Sequence, residues 1–350
     1  MKAIAVTPLQ RNSLRLIDSN LDRDQVLVKV VETGVCRTDL EIIDGLYGEA
    51  PEGYEYLILG HESLGKIVET NGDFRKDDYV VRMVRRSCSK CVNCSSGYVD
   101  MCSTGNYTEA GIKGVQGVMA EYYSDKEENL ILIPEEQIDV GVLLEPLSVC
   151  EKSLYQAFKI QERLIWNPKK ALVIGAGPIG LLESMLLRLK EIDTFVVAKS
   201  LKGNEKSRIV EAIGAHYIST EKTHIRDFLA GEYNFDYIFE ASGNAKVIPL
   251  IWKNLANNGV LCLSSITPEK NNVIFPMDLI NLQTVLGNKV VFGAVNANIR
   301  DYKRGVKRFA EIKKRWPSVL ERIITKRLHV DNFRDAFEKR REDIKTTISF

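Results

Sequence analysis

The spacing of apolar residues changes character once along this chain. Up to about residue 140 they fall in short β-rich runs closed by turns: "QVLVKVVETG" at 25–34, "DDYVVRMV" at 77–84, and a turn, strand and turn in "LGHESLGKIVETNGDF" at 59–74. Alternation of this kind predicts strands. No helical spacing of useful length precedes residue 140. From Leu147 to Arg163, Leu147, Cys150, Leu154, Phe158 and Ile160 recur at helical intervals. Then strand-like and helix-like runs alternate: "KKALVIGAGPIGLLESMLLRLK", "DTFVVAKS", "EKSRIVEAIGA", "HYIS", "NFDYIFEASG", "NGVLCLSS" and "NKVVFGAVN". That alternation predicts a parallel doubly wound sheet over about 165–295. After Asn296 come a charged helix, a strand near "LERIITKRL", a short helix and a last strand, "KTTISF".

A chain of 350 residues is long for a single core, so two domains are expected. The expected division is 1–160 with 297–350 against 161–296. Charge changes little: 48 Lys and Arg against 47 Asp and Glu leave no basic excess for nucleic acid and no acidic tail. "MKAIAVTPLQRNSLRL" has no long apolar run, and none elsewhere suits a bilayer, so no signal peptide, no membrane partner and a cytoplasmic location are expected.

Two motifs carry chemistry on their own. "VIGAGPIG" places Gly175, Gly177 and Gly180 between a β-branched strand and an apolar helix. In that setting the first glycine makes the turn, the second lets a pyrophosphate approach, and the third lets helix pack on strand. An NAD site ends its second strand in Asp or Glu. Here Lys199 stands there, followed by Ser200, while Asp193 lies at the wrong end. A cation and a hydroxyl suit a ribose phosphate, so NADP is expected to be preferred, with NAD possible. Separately, Cys88, Cys91, Cys94 and Cys102 cluster in "CSKCVNCSSGYVDMC". Four thiolates can close a tetrahedral zinc shell with no open position, which is a structural site in a lobe at 86–104. Iron–sulfur ligation and unligated thiols are the alternatives. The odd count of seven cysteines argues against a disulfide framework.

"GVCRTDLE", "LGHESLGKIVE", the cysteine lobe and "VIGAGPIG", in that order, resemble the zinc-dependent medium-chain alcohol dehydrogenases over nearly the whole chain. "VLLEPLSVCEKSL", "TEAGI", "FGAVN" and "IKTTISF" look most like the archaeal glucose dehydrogenase branch. The resemblance implies an α/β protein: a β-rich GroES-like catalytic domain and a Rossmann domain. It implies a catalytic zinc, one per chain beside the structural one, on Cys36, His61, Glu62 and Glu145. Adjacent strand residues point apart, so His61 and Glu62 share an ion only at a local kink. Cys150 sits in an apolar stripe and reads as a buried thiol. Thr38 would begin proton transfer from the substrate hydroxyl. Asp39, Glu109, Glu145 and Asn296, with Thr38 and Glu62, would meet the sugar. Cofactor contacts would come from Gly175, Gly177, Pro178, Ile179, Gly180, Lys199, Ser200, Ser264, Ser265, Ile266, Val295 and Asn296. The reaction implied is oxidation of an aldose, D-glucose first, then D-galactose or pentoses, at the anomeric carbon to the lactone, with zinc as Lewis acid. A polyol or threonine dehydrogenase is the rival within the family, and an inactive zinc-containing binding protein the rival outside it. The resemblance also implies a homo-tetramer, or a dimer.

Overall fold

The computed structural model describes residues 1–231, 234–267, 273–338 and 340–350. It divides into two compact units, Met1–Ser148 with Asn296–Ala310 and Ile324–Phe350, and Val149–Val295 with Glu311–Ile323. This differs from the sequence expectation in three places, one being Asn296, which belongs to the first unit. The division falls inside a long helix, α2 (Leu144–Ile160), rather than after it, and 311–323 joins the second unit. A continuous helix leaves no composition break to mark a boundary.

In the first unit a seven-stranded sheet is built around β1 (Val26–Val35) and β2 (Glu62–Thr70), which pair antiparallel. The register sets Gly34 opposite Glu62. On its other edge β1 pairs antiparallel with the C-terminal strand Lys345–Ser349, which places Val35 opposite Thr346. Val26, Val28, Val30, Ile67 and Val80 bury one face of this sheet in a common core. A short helix, α1 (Arg37–Ile43), follows β1 at once. It corrects the expectation of no helix before residue 140. Seven residues are too few for apolar periodicity to declare itself. The signal present was local, because the N-cap amide of Cys36 donates to Asp39 Oδ2 at 2.8 Å, satisfying a donor that the helix start leaves free.

The second unit carries a wholly parallel six-stranded sheet: β3 (Lys170–Ile174), β4 (Asp193–Ala198), β5 (His216–Ser219), β6 (Phe235–Glu240), β7 (Leu255–Leu263) and β8 (Val290–Gly293). The spatial order is β5-β4-β3-β6-β7-β8, the doubly wound order whose switch point lies beside β3. Leu172, Ile174, Ile238 and Leu261 are buried on these strands, which explains their near-continuous apolar runs. Helix α3 (Pro178–Leu189) follows β3, and α4 (Glu205–Ala212) follows β4. Among the described residues no helix is long and apolar enough to cross a membrane.

One buried acid in this unit is poorly satisfied among the described residues. Glu183 on α3 is fully buried, and neither carboxylate oxygen makes a well-formed hydrogen bond among the described residues. Burial holds its pKa well above the ordinary glutamate value, Glu151 adds to this, and the Tyr237 hydroxyl opposes it. A raised folded-state pKa contributes stability fully below the unfolded pKa and loses it as pH rises toward the folded pKa. Glu183→Gln is therefore expected to stabilise the protein above about pH 5, the gain widening by up to about 1.4 kcal/mol per pH unit. Urea midpoints of both proteins at pH 5 and pH 8 test it; a constant difference would refute the assignment.

Candidate functional site

The first donor group forms at the junction of β1, α1 and β2. Cys36 is the N-cap of α1, where the backbone is still extended. His61 immediately precedes β2, and Glu62 is its first residue. The expected kink is at Gly60, whose φ is +89°, a region that favours glycine. A Cβ there would lie 2.6 Å from Met119 Cγ. With the chain bent at this point, one ligand atom from each of Cys36, His61 and Glu62 falls within 4.8 Å of the others.

Whether these residues suit zinc can be read from their surroundings. His61 is buried, and its Nδ1 faces Asp39 Oδ1 at 3.5 Å. Both atoms are buried and neither has a closer partner among the described residues. A carboxylate behind one ring nitrogen orients the imidazole and leaves the other nitrogen for an ion. Burial pulls the His61 pKa down, but Asp39 and Cys36 outweigh it and hold the ring well above its ordinary value. Thiolate, imidazole and carboxylate are a zinc donor set.

Glu62 is held by a residue that sequence reading missed. Lys345 Nζ donates to both carboxylate oxygens, at 2.7 and 2.5 Å, and to Val35 O at 3.2 Å. Both side chains are buried. Gly34 makes room for the carboxylate: a Cβ on it would sit 2.1 Å from Glu62 Oε2. Glu145, on the first turn of α2, lies outside the compact group of three. It is buried, and burial raises its pKa to about 7, with His61 and Lys345 opposing and Glu62 and Asp39 adding.

Thr38 is half-buried on α1. Nearby, the Tyr47 hydroxyl donates to Glu41 Oε2 at 3.2 Å, and Arg37 Nε donates to Glu41 Oε1 at 2.8 Å. Neither Glu41 nor Tyr47 was singled out from sequence. Glu109 and Asn296 are brought together: Asn296 Nδ2 donates to Glu109 Oε1 at 2.7 Å. Asn296 adopts φ +62°, which asparagine tolerates better than most residues.

The second donor group is the lobe. Ligand atoms of Cys88, Cys91, Cys94 and Cys102 all lie within 4.8 Å of one another. The Cys94 amide donates to Cys91 Sγ at 3.5 Å, and backbone amides of Cys94 and Ser103 lower the Cys91 thiol to about 5. The Thr104 hydroxyl and neighbouring amides lower Cys88 to about 7, while burial raises Cys94 to about 11. Amide donors aimed at sulfur stabilise thiolates, the form that binds zinc. Cys150 is buried, its Sγ donating to Ile179 O at 3.3 Å, as a packed thiol.

In the second unit the three glycines divide their tasks as the motif predicts. Gly175 has φ +106°. A Cβ on Gly177 would meet nothing within 4 Å, which leaves space in front of the α3 N-terminus, where Gly177 is the N-cap and Pro178 and Ile179 begin the helix. A Cβ on Gly180 would lie 1.9 Å from Gly175 O. Lys199 is exposed just beyond β4, and Ser200 Oγ lies 2.7 Å from Tyr217 Oη. Ser264 Oγ is buried without a partner among the described residues. Ser265 Oγ is engaged: it donates to Glu240 Oε2 at 2.5 Å and accepts from Gly243 N–H at 2.8 Å. Glu240, also unremarked in sequence, thereby ties this loop to the end of β6. Ile266 is exposed, as is Val295, whose carbonyl accepts from Lys152 Nζ at 2.7 Å.

Comparison with known proteins extends this picture. Residues 22–135 match the alcohol dehydrogenase GroES-like domain, and residues 138–350 match the glucose dehydrogenase C-terminus. The chain belongs to the glucose dehydrogenase family. Glucose 1-dehydrogenase of Methanocella arvoryzae is 43% identical, with 99% of each chain covered. A glucose 1-dehydrogenase of Caldivirga maquilingensis is 40% identical over 99% of this chain and 98% of that one. Among solved structures, the Haloferax mediterranei glucose dehydrogenase in complex with NADP, Zn and gluconolactone is 30% identical. It superposes with a TM-score of 0.92, covering 100% of this chain and 99% of the other. The family assignment, the two-part α/β architecture and the glucose branch read from "TEAGI" and "FGAVN" thus agree with these relatives.

Proposed function

We propose that the protein oxidises D-glucose at its anomeric carbon to the lactone, with NADP as hydride acceptor. The carrying observation is the convergence of Cys36, His61 and Glu62 beside buried Asp39 and Lys345, in a chain matched end to end by glucose dehydrogenases. Zinc and NADP, when bound, supply a Lewis acid for the anomeric oxygen and an acceptor for its hydride. Cys36, His61 and Glu62 would hold the ion, with Glu145 completing the set directly or through water. Asp39 fixes the His61 ring. Thr38 takes the hydroxyl proton, and its hydroxyl can accept and donate in turn. Glu109 and Glu145 orient the sugar, with Asn296 beside them. Gly177 and the α3 N-terminus receive the pyrophosphate, and Ser264 and Ser265 belong to the cofactor loop. A substrate panel of glucose, galactose, xylose, sorbitol and threonine with NADP tests the proposal; preference for sorbitol or threonine would overturn it in favour of the rival dehydrogenases.

Lys199 and Ser200 support NADP over NAD, because a cation beyond β4 attracts the ribose phosphate where a carboxylate would repel it. Lys199→Ala is expected to raise the KM for NADP roughly tenfold while leaving that for NAD within about twofold. Equal changes for both cofactors would count against this role.

The protein is further proposed to assemble with copies of itself, as a dimer that pairs into a tetramer, and to act in the cytoplasm. Strand β8 is the last of its sheet, and α5 (Met277–Leu286) exposes Leu282, Val285 and Leu286. An apolar face beside an open strand edge suits a second copy of the chain. A monomer in light scattering would rule this out.

A further inference from the structure

We infer that Arg85 is the positioning residue that turns Glu109 into a one-sided acceptor for a single sugar hydroxyl. The inference rests on the reading of Glu109 as a sugar contact. Three donors converge on one atom. Arg85 Nε and Nη2 lie 3.0 and 2.9 Å from Glu109 Oε1, and Asn296 Nδ2 lies 2.7 Å from it. The Asn296 amide is fixed in this sense because its Oδ1 accepts from Ala297 N–H at 2.9 Å. Glu109 Oε2 takes no hydrogen bond among the described residues, and the side chain keeps a small exposure of 11%. One oxygen is saturated and the other is presented.

The backbone builds this pair. Arg85 and Glu109 stand directly opposite each other where the strand Arg85–Arg86 pairs antiparallel with Thr108–Ala110. The rest of the guanidinium is tied down. Nη1 donates to Asp100 O at 3.0 Å, and the Tyr107 ring centre lies 3.7 Å from the guanidinium carbon. Asn298 Nδ2 in turn donates to Asp100 Oδ1 at 2.9 Å, in the turn that leads into Cys102. Arg85 thus joins the sugar-reading carboxylate to the four-cysteine lobe.

The chemistry follows from the residue types. A guanidinium stays protonated at every working pH, and its planar fork can hold Oε1 and Asp100 O at once. It pairs with the carboxylate as a counter-charge, and an ionised carboxylate can only accept. Oε2 therefore recognises a hydroxyl by the proton that hydroxyl donates, and it refuses an analogue lacking it. A lysine would supply the charge without the fork.

The test compares Arg85→Lys, Glu109→Gln and the double variant with the natural enzyme, using glucose and its monodeoxy analogues. The natural enzyme is expected to lose roughly 100-fold in kcat/KM on one monodeoxyglucose. In Arg85→Lys the KM for glucose rises about tenfold and that particular penalty shrinks to a few-fold, while the KM for NADP and the zinc content stay unchanged. The double variant is no worse than Glu109→Gln alone. If Glu109→Gln removes the penalty but Arg85→Lys keeps it, the role given to Arg85 is wrong and the reading of Glu109 stands. If Glu109→Gln keeps the penalty, that reading falls and the inference with it. Loss of zinc or NADP affinity in Arg85→Lys, with the deoxy penalty intact, shows a merely structural pair. Tyr107→Leu, which loosens the guanidinium without removing it, is expected to shift the same ratio in the same direction, and an unchanged ratio there also overturns the inference.

Discussion

Cys36→Ser is expected to lower kcat/KM for glucose roughly 1000-fold, because the Lewis acid contributes several kcal/mol to charge stabilisation in the transition state. The variant should lose one zinc of the two that the two donor groups can hold, and keep the ion on Cys88, Cys91, Cys94 and Cys102. Its affinity for NADP should be unchanged, because Gly175, Gly177 and Gly180 belong to the other compact unit. Metal analysis, cofactor titration and steady-state rates on one preparation separate these effects. Retention of both ions with activity within tenfold of the natural enzyme would remove Cys36 from the site.

The second large effect is structural. Lys345→Met should destabilise the fold by about 3–5 kcal/mol, the usual cost of stranding one member of a buried ion pair. Burial alone would lower the Lys345 pKa, but Glu62 outweighs it and holds the ammonium above its ordinary value. The side chains of Lys345 and Glu62 are 3% and 1% exposed, so water cannot take over when the cation is removed. Glu62→Gln placed on Lys345→Met should recover much of the loss, since the amide no longer leaves a bare charge. Chemical denaturation of the two single variants and the double measures the coupling. Simple additivity would mean that the pair carries no special weight.

The motifs that announce chemistry here are local. C-x-T-D, G-H-E, the four cysteines and the glycine turn each need only a few consecutive residues, so spacing alone declares them. The presence of the parallel strands of the second unit was legible for the same reason, because each buried strand is a short continuous apolar run, whereas their spatial order is given by the structure alone. What stayed hidden depends on register. Lys345 reaches Glu62 across 283 residues of chain because two different strands flank β1. Arg85 meets Glu109 because two short strands happen to align them, and nothing in "RR" says which arginine faces inward. Glu145 shows the converse. Its neighbour Pro146 and its place in the family order mark it, yet the compact donor group forms without it. Helix α1 escaped because one hydrogen bond between Asp39 and the Cys36 amide identifies its start better than any periodicity does.

The strand that carries Lys345 also sets a timetable for synthesis. On the second edge of β1, residues 26–29 pair with Tyr122–Asp125, but residues 33–35, made among the first to leave the ribosome, find their partner only when residues 345–349 have emerged. At about 5–20 residues per second, some fifteen seconds to a minute separate the two events. Throughout that interval Glu62 lacks its counter-charge and residues 33–35 of β1 are paired on one edge only. The donor group around Glu62 is therefore completed last, whereas the strands of the second unit are all translated before it can close.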